Sequence, residues 1–297
     1  MVTRAIDLAT MGRALHDLSA QFLGDVVWNP QNDEQARFLA WCAANREQVA
    51  SLVGYKSSAS TDYAILNCFM EKEGYGPQFT PFEGVGIASL FGATVNWPVK
   101  GTLASISRWG RPTETLRHGV EECYSAFHIA LGVDAFEVLG LQDPLIRIGI
   151  RGGHYLWLMK TPEPTSDMAL AKLAQIMLTS DRLPNLAWHS VKIPMLEIEV
   201  QPDISWLIGT NTTSPQCGYQ RICQVIQRYR LRINEPGARI MITPSFAGRR
   251  EDSGARPYVF DDPFMGFFTQ SESGIARGAF YADIDSWRNS EGTLEEI

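Results

Sequence analysis

Apolar side chains recur at helical spacing early in the chain and once more near its middle. Spacings of three and four residues set a buried stripe along a first helix, formed by Leu8, Met11, Leu15, Leu18 and Phe22. A second helix is predicted from Asp33 to Val53, after the Asn29-Pro30 break, and a third from Met168 to Leu178. Each of these helices is expected to bury one face.

Strand patterns dominate the rest of the chain. Residues 145–150 and 154–159 flank a Gly152-Gly153 turn and predict a hairpin. A further strand is predicted at residues 87–95, and two closing strands at residues 264–269 and 278–284. Because helices come first and strands dominate the end, the order of elements predicts the α+β class.

In two strand segments the pattern predicts which side chains are buried and which face solvent. Residues 229–233 alternate strictly between apolar side chains and arginines, which predicts a half-buried strand with its arginines outward. Residues 191–200 also alternate, but the phase reverses near Pro194 and predicts a bulge or bend there. Glu197 and Glu199 are expected to face water.

A long aperiodic segment, residues 235–262, separates the arginine strand from the closing strands. An aperiodic segment of this length inside a compact domain is either functional or disordered. It opens with Asn234-Glu235-Pro236-Gly237-Ala238 and ends at Phe260-Asp261-Asp262-Pro263-Phe264, before Phe267-Phe268. In this order and spacing the chain resembles the serpin family, which has a strand, an acidic hinge, a long reactive loop and an apolar hairpin opened by Asp-His-Pro-Phe. The resemblance extends from about Ala187 to Asp283.

The resemblance implies one serpin-like α+β domain over residues 1–297. Such a domain packs N-terminal helices on a large mixed or antiparallel sheet and adds a C-terminal β-hairpin and a long exposed reactive-type loop. Serpins are normally longer, so the N-terminal helical part, about residues 1–80, is expected to be shortened. The resemblance places the loop hinge at Glu235, Gly237 and Ala238. It places the candidate protease-cleavage site at Arg249, Arg250 and Glu251, and the paired arginines there suit a trypsin-like enzyme.

The segment after the hinge argues against protease trapping. An inhibitory serpin, as the resemblance implies, forms an acyl-enzyme and then inserts its cleaved loop as a new central strand. Here the hinge is followed by Arg239-Ile240-Met241-Ile242-Thr243-Pro244, and each bulky inward side chain would cost about 1 to 3 kcal/mol in a filled core. Pro244 also lacks the N–H that a central strand donates. Cys223 and Gln227 stand where the family has a buried serine and histidine that help the sheet open, so that polar cluster is expected to be lost.

Aromatic residues suggest a different use for the scaffold. A serpin-like fold with a loop that does not insert could leave an apolar cleft, which is the usual form of a ligand site. The candidate pocket residues are Trp157, Trp188, Trp206, Phe246 and Tyr258.

The function predicted from these features is that of a non-inhibitory serpin-fold protein that binds or transforms a small apolar molecule. A shape-driven cyclisation in a biosynthetic pathway would be one such reaction. The alternative is a minimal serpin that inhibits a trypsin-like serine protease through its loop. A structural or chaperone-like partner binder is a third interpretation.

Amino-acid composition and the absence of known motifs limit the partners, cofactors and locations that we expect. With 26 basic and 33 acidic residues the chain carries a formal charge of −7, which argues against nucleic-acid and anionic-membrane partners. The sequence has no hydrolase, oxidoreductase or phosphate-loop motif, and its five scattered histidines suggest no metal site, so we expect neither cofactor nor metal. Five cysteines without a CxxC pair are expected to be buried thiols. A cytoplasmic location is expected because no signal-peptide-like stretch occurs.

Overall fold

A computed structural model describes residues 3–24, 26–95, 97–98, 101–109, 121–130, 132–150, 153–234, 257–270 and 274–288. The helices in these ranges are α1 (Leu8–Leu18), α2 (Asp33–Ala44), α3 (Arg46–Ala50), α4 (Tyr63–Lys72) and α5 (Asp167–Thr179). A π-helical turn, Ser19–Leu23, extends α1, and short 3₁₀ turns lie at Ser205–Leu207 and Ile284–Ser286. Among the helices of the described ranges, none has the length and apolar character that crossing a bilayer requires.

Strands supply most of the remaining regular structure. They are β1 (Arg4–Ile6), β2 (Lys56–Ser60), β3 (Val85–Thr94), β4 (Thr102–Trp109), β5 (Glu121–Ile129), β6 (Val133–Val138), β7 (Leu145–Ile150), β8 (His154–Lys160), β9 (Arg182–Pro184), β10 (Val191–Pro194), β11 (Leu196–Val200), β12 (Asn211–Ser214), β13 (Gly218–Ile233), β14 (Tyr258–Val259), β15 (Phe264–Thr269) and β16 (Arg277–Ala282). They form three sheets, in the orders β1-β16-β15-β8-β7-β6-β9, β14-β10-β5-β4 and β11-β13-β3-β2, with β12 paired to β13. The predicted α+β class is confirmed.

Helix α1 lies against the sheet that contains β3 and β13. Its N-terminus is capped by Asp7, whose Oδ1 accepts a hydrogen bond from the Ala9 N–H at 3.1 Å. The predicted stripe is buried at Leu8, Met11, Leu15 and Leu18 and joins a cluster with Val85 and Ile87 of β3. The first helix and its buried face are therefore as predicted at these four positions, while the fifth predicted position, the Phe22 side chain, lies outside the described side chains.

The second predicted helix is broken into α2 and α3 at Asn45. The backbone there leaves the helical region, with φ −114° and ψ 24°, and the Asn45 Nδ2 donates to the Trp41 carbonyl at 2.8 Å. Asparagine competes in this way with helical backbone bonding. The prediction of one continuous helix from Asp33 to Val53 is wrong because a periodic apolar pattern does not register such a local break.

The phase reversal near Pro194 marks a change of sheet. Strand β10 pairs with β5 and β14, whereas β11 pairs with β13 in a different sheet. Met195 joins the two, and its N–H donates to the Ser125 carbonyl at 2.8 Å. The bend predicted there is confirmed, and so are the hairpins β7–β8 and β15–β16.

The cysteines depart from the expectation of buried thiols. Cys68, Cys123 and Cys217 are exposed, while Cys42 and Cys223 are partly covered. Burial raises the pKa of the Cys42 thiol to about 12, so that side chain stays protonated.

Candidate functional site

The two longest neighbouring strands of the third sheet, β3 and β13, are paired directly with each other. They run parallel, in register from Ile222 opposite Val85 to Arg232 opposite Thr94, with one irregularity between Ile222 and Gln224. We call this β3–β13 pairing the seam. Each seam strand has another partner on its far side, β2 on β3 and β11 on β13, so among the described residues no strand lies between them.

The arginine face of β13 is matched by glutamates across the sheet. Arg232 and Arg230 stand directly opposite Glu197 and Glu199 of β11, and their ion pairs measure 2.6 and 2.9 Å. Arg288 also contacts Glu197. The prediction that both glutamates simply face water is therefore incomplete, because cross-strand pairing with arginine holds them against the sheet.

A buried polar network closes the inner face of the seam. Gln227 of β13 donates from Nε2 to Ser89 Oγ of β3 and to the Asp7 carbonyl, both at 2.9 Å, and its Oε1 accepts from the Asp7 N–H at 2.9 Å. Ser89 Oγ lies 2.6 Å from Thr10 Oγ1 on helix α1. All four side chains are buried. The network thus ties both seam strands to the start of α1.

This network corrects the expectation that replacement by Gln227 removes the polar cluster. A glutamine amide both donates and accepts, so one side chain at this position links Ser89 with the backbone of Asp7. Asp7, Thr10 and Ser89 were missed because they come from two distant parts of the chain. The signal available in the sequence was the single polar residue at an inward position of a strand, Gln227.

A strap formed by residues 75–83 crosses the outer face of the seam. On the α4 side, Asn67 binds the backbone of residues 78 and 79 at 2.8 to 2.9 Å. On the β13 side, Gln224 makes three hydrogen bonds to Thr80 at 2.8 to 3.2 Å. Arg228 adds a 3.1 Å bond to Gln78. Because α4 packs on β3 and the strap is bonded to β13, the strap resists separation of the two strands.

Both ends of the long loop are fixed to the fold. Asn234 follows β13, and its carbonyl accepts from Trp97 Nε1 at 2.9 Å. Near the other end of the segment, β14 adds to β10 in parallel, and the Tyr258 hydroxyl donates to Asp143 at 2.7 Å. Burial, reinforced by Asp143, raises the pKa of Tyr258, which keeps this hydroxyl a donor. Lys160 and Asp261 form an ion pair beside it.

A cavity of about 290 Å³, open to solvent and lined by both polar and apolar groups, lies beside the second half of β3. Strand β2 pairs with β3 only from Gly86 to Leu90, so from Phe91 onward that edge of β3 has no strand partner among the described residues. The cavity lies where this pairing stops and faces the ends of the hairpins β7–β8 and β15–β16. Its described lining comprises Gly54, Phe91, Gly92, Ala93, Val95, Ile150, His154, Phe268, Thr269, Gln270 and Arg277.

Phe91 connects this cavity to the seam. Its ring is stacked on Tyr229 of β13, with centroids 4.7 Å apart, and lies 5.7 Å from the Phe268 ring. The Tyr229 hydroxyl donates to the Gly278 carbonyl at 2.8 Å, and burial together with the Asp7 charge raises the pKa of Tyr229. The Phe91 side chain therefore both lines the cavity and contacts strand β13 of the seam.

The described members of the predicted aromatic pocket do not surround one space. Trp157 is 1% exposed, is stacked on Phe267 and donates to Thr269 Oγ1 at 3.0 Å, so it is a core residue. Trp206 packs on Phe38 in the same cluster. Trp188 and Tyr258 do meet, at 5.4 Å, but in another cluster. Trp157 and Tyr258 are buried, Trp188 and Trp206 are half-buried, and the cavity beside β3 is lined by other residues.

The remaining predicted site residues lie outside the described ranges. They are the hinge residues Glu235, Gly237 and Ala238, the cleavage-site residues Arg249, Arg250 and Glu251, and the pocket residue Phe246.

Comparison with known proteins establishes the fold. No protein-family model and no curated protein matches the chain. The structure is similar to SRPN18 from Anopheles gambiae, with a TM-score of 0.55 and 13% identity over 95% of this chain and 92% of that one. The mouse protein-Z dependent protease inhibitor and Serpin48 of the insect Tenebrio molitor each give a TM-score of 0.52 and 10% identity. These matches cover 95% of this chain and 91% and 92% of theirs.

The chain therefore has the serpin fold. The likeness extends well beyond residues 187–283, on which the sequence resemblance was based. At these identities the likeness concerns architecture alone, since one fold serves many functions.

Proposed function

We propose that this protein is a non-inhibitory serpin-fold protein that binds a small apolar molecule in the cavity beside β3. The observation that carries the proposal is this cavity, whose body is formed by Phe91, Val95, Ile150 and Phe268. Its volume of about 290 Å³ is just below the roughly 300 Å³ at which the usual range of ligand pockets begins. An apolar molecule of modest size suits such a space.

The lining favours binding over proton-transfer chemistry. Its described residues include one imidazole, His154, and one guanidinium, Arg277, but no carboxylate. A paired acid and base are therefore not assembled there from the described part of the chain. We therefore propose binding as the activity. Transformation of the ligand, including cyclisation, would require the cavity to act only by holding the ligand in a reactive conformation.

The closed seam supports the non-inhibitory part of the proposal. A strand that entered between β3 and β13 would break the Gln227–Ser89 hydrogen bond and strain the four hydrogen bonds that link Gln224 and Arg228 with the strap. Each such bond contributes about 1 kcal/mol net. The entering segment would also bring Pro244 and bulky side chains. Inhibition through Arg249 or Arg250 is the alternative, and it requires the seam to separate.

The binding proposal is tested by filling the cavity. Ala93 lines it and is only partly buried, so the Ala93→Phe variant is expected to occupy the space with little loss of folding stability. The neutral fluorophore N-phenyl-1-naphthylamine should bind the unmodified protein saturably at one site. We expect Ala93→Phe to weaken this binding at least roughly tenfold, because the ring takes the ligand's volume.

The matched control is Ala104→Phe, a partly buried alanine of β4 that does not line the cavity. This variant should bind the fluorophore like the unmodified protein. Fluorescence titration, with a thermal melt of each variant, measures both effects. Equal affinity in the two variants, or no saturable binding to the unmodified protein, would overturn the proposal.

A further inference from the structure

The cavity beside β3 combines an apolar body with polar groups from two adjacent hairpin ends. His154 begins β8, Gln270 follows β15 and Arg277 begins β16. Strands β8 and β15 are neighbours, with Tyr155 opposite Thr269, so the ends of the two hairpins lie side by side. A ligand whose hydrocarbon lies on Phe91 therefore has polar side chains within the same space.

Arg277 has an unmet hydrogen-bonding requirement. Its Nε is buried and has no hydrogen-bond partner among the described residues. Leaving a buried guanidinium donor unpaired is unfavourable, and the described cavity lining offers no carboxylate to pair with it. A ligand that brings its own acceptor into this lining would give the Arg277 guanidinium a partner.

The shape and charge of the guanidinium group favour one kind of acceptor on the ligand. Its planar array of N–H donors matches a carboxylate, which can accept two parallel charge-assisted hydrogen bonds. We propose that the ligand of this cavity is a small apolar carboxylate. Its carboxylate lies on Arg277, and its hydrocarbon lies against Phe91, Val95, Ile150 and Phe268. This inference rests on the proposed function, because it names the ligand class of the same cavity.

Two probes with the same hydrocarbon and different head groups test the inference. Decanoate and 1-decanol are titrated against the unmodified protein by displacement of N-phenyl-1-naphthylamine. We expect decanoate to bind more tightly than decanol. The Arg277→Gln variant should lose roughly tenfold or more in decanoate affinity and keep its decanol affinity, because only the carboxylate uses the positive charge.

Unchanged decanol binding in Arg277→Gln also shows that the cavity remains folded. The control Arg230→Gln removes an arginine that pairs with Glu199 on the outer face of the sheet, and it should leave both affinities unchanged. Equal binding of the two probes, or equal weakening of both in Arg277→Gln, would overturn the carboxylate assignment and leave the apolar-ligand function standing. Binding of neither probe, with no fluorophore binding to displace, would overturn both.

Discussion

Replacing Gly278 with alanine is expected to lower the free energy of unfolding by about 3 kcal/mol and to weaken ligand binding in the cavity. Gly278 has φ +51°, a left-handed conformation that costs other residues about 1 to 2 kcal/mol. A methyl group there would stand 2.1 Å from an atom of the Phe91 ring, so the ring must move. Overpacking of this kind adds about 1 to 3 kcal/mol. Denaturant unfolding and the fluorophore titration measure the two effects.

Gly140 provides the control, because it shares the backbone conformation without the crowding. It has φ +86°, and a methyl group there would meet nothing within 4 Å. Gly140→Ala should therefore lose only the backbone part of the effect, about 1 to 2 kcal/mol, and should bind the fluorophore normally. If the two variants lose equal stability, or if Gly278→Ala binds like the unmodified protein, Phe91 does not have the role assigned to it.

Replacing Gln227 with leucine is expected to cost about 3 kcal/mol and to loosen the seam. The change removes three hydrogen bonds and leaves the Asp7 N–H, the Asp7 carbonyl and the Ser89 hydroxyl with fewer partners in a buried space. Each unsatisfied buried group costs about 1 to 3 kcal/mol. Hydrogen exchange should accelerate at the paired amides of β3 and β13, which is a local effect that general destabilisation does not predict.

Gln220 is the matched glutamine on the same strand. It is only partly buried, and its side chain donates to the Cys217 carbonyl at 2.9 Å. Gln220→Leu should change stability by less than about 1 kcal/mol and leave exchange at the seam as it was. Similar exchange profiles for the two variants would show that the buried network does not hold the seam.

Local periodicity was a good guide to the elements of this fold. Helix α1, the hairpins β7–β8 and β15–β16 and the arginine-bearing part of β13 each have a pattern that one segment carries by itself. The predictions were wrong or incomplete where a break or a pairing depends on a single side chain. Asn45 splits the second predicted helix through its own hydrogen bond. Glu199 is exposed as predicted, but the pattern did not indicate that Glu197 and Glu199 pair with arginines of another strand.

The candidate site was harder to predict because it is assembled from distant segments. The seam network joins Asp7 and Thr10 to Ser89 and Gln227, and no spacing in the chain relates them. The cavity exists because β2 stops pairing at Leu90, which is a property of strand register and not of composition. The tryptophans correctly indicated apolar regions of the fold, but the region around Trp157 is packed core and not a ligand cavity.

The central claim is that the seam does not admit the loop, and incubation with trypsin tests it most directly. Arg249 and Arg250 offer cleavage sites in the loop sequence. We predict that trypsin cuts there, as mapped by mass spectrometry, and that no adduct survives boiling in detergent. The melting temperature of the cut protein should also stay unchanged. An inhibitory serpin treated in parallel serves as the positive control. A detergent-stable adduct, or a cut protein that melts at a higher temperature, would contradict the claim.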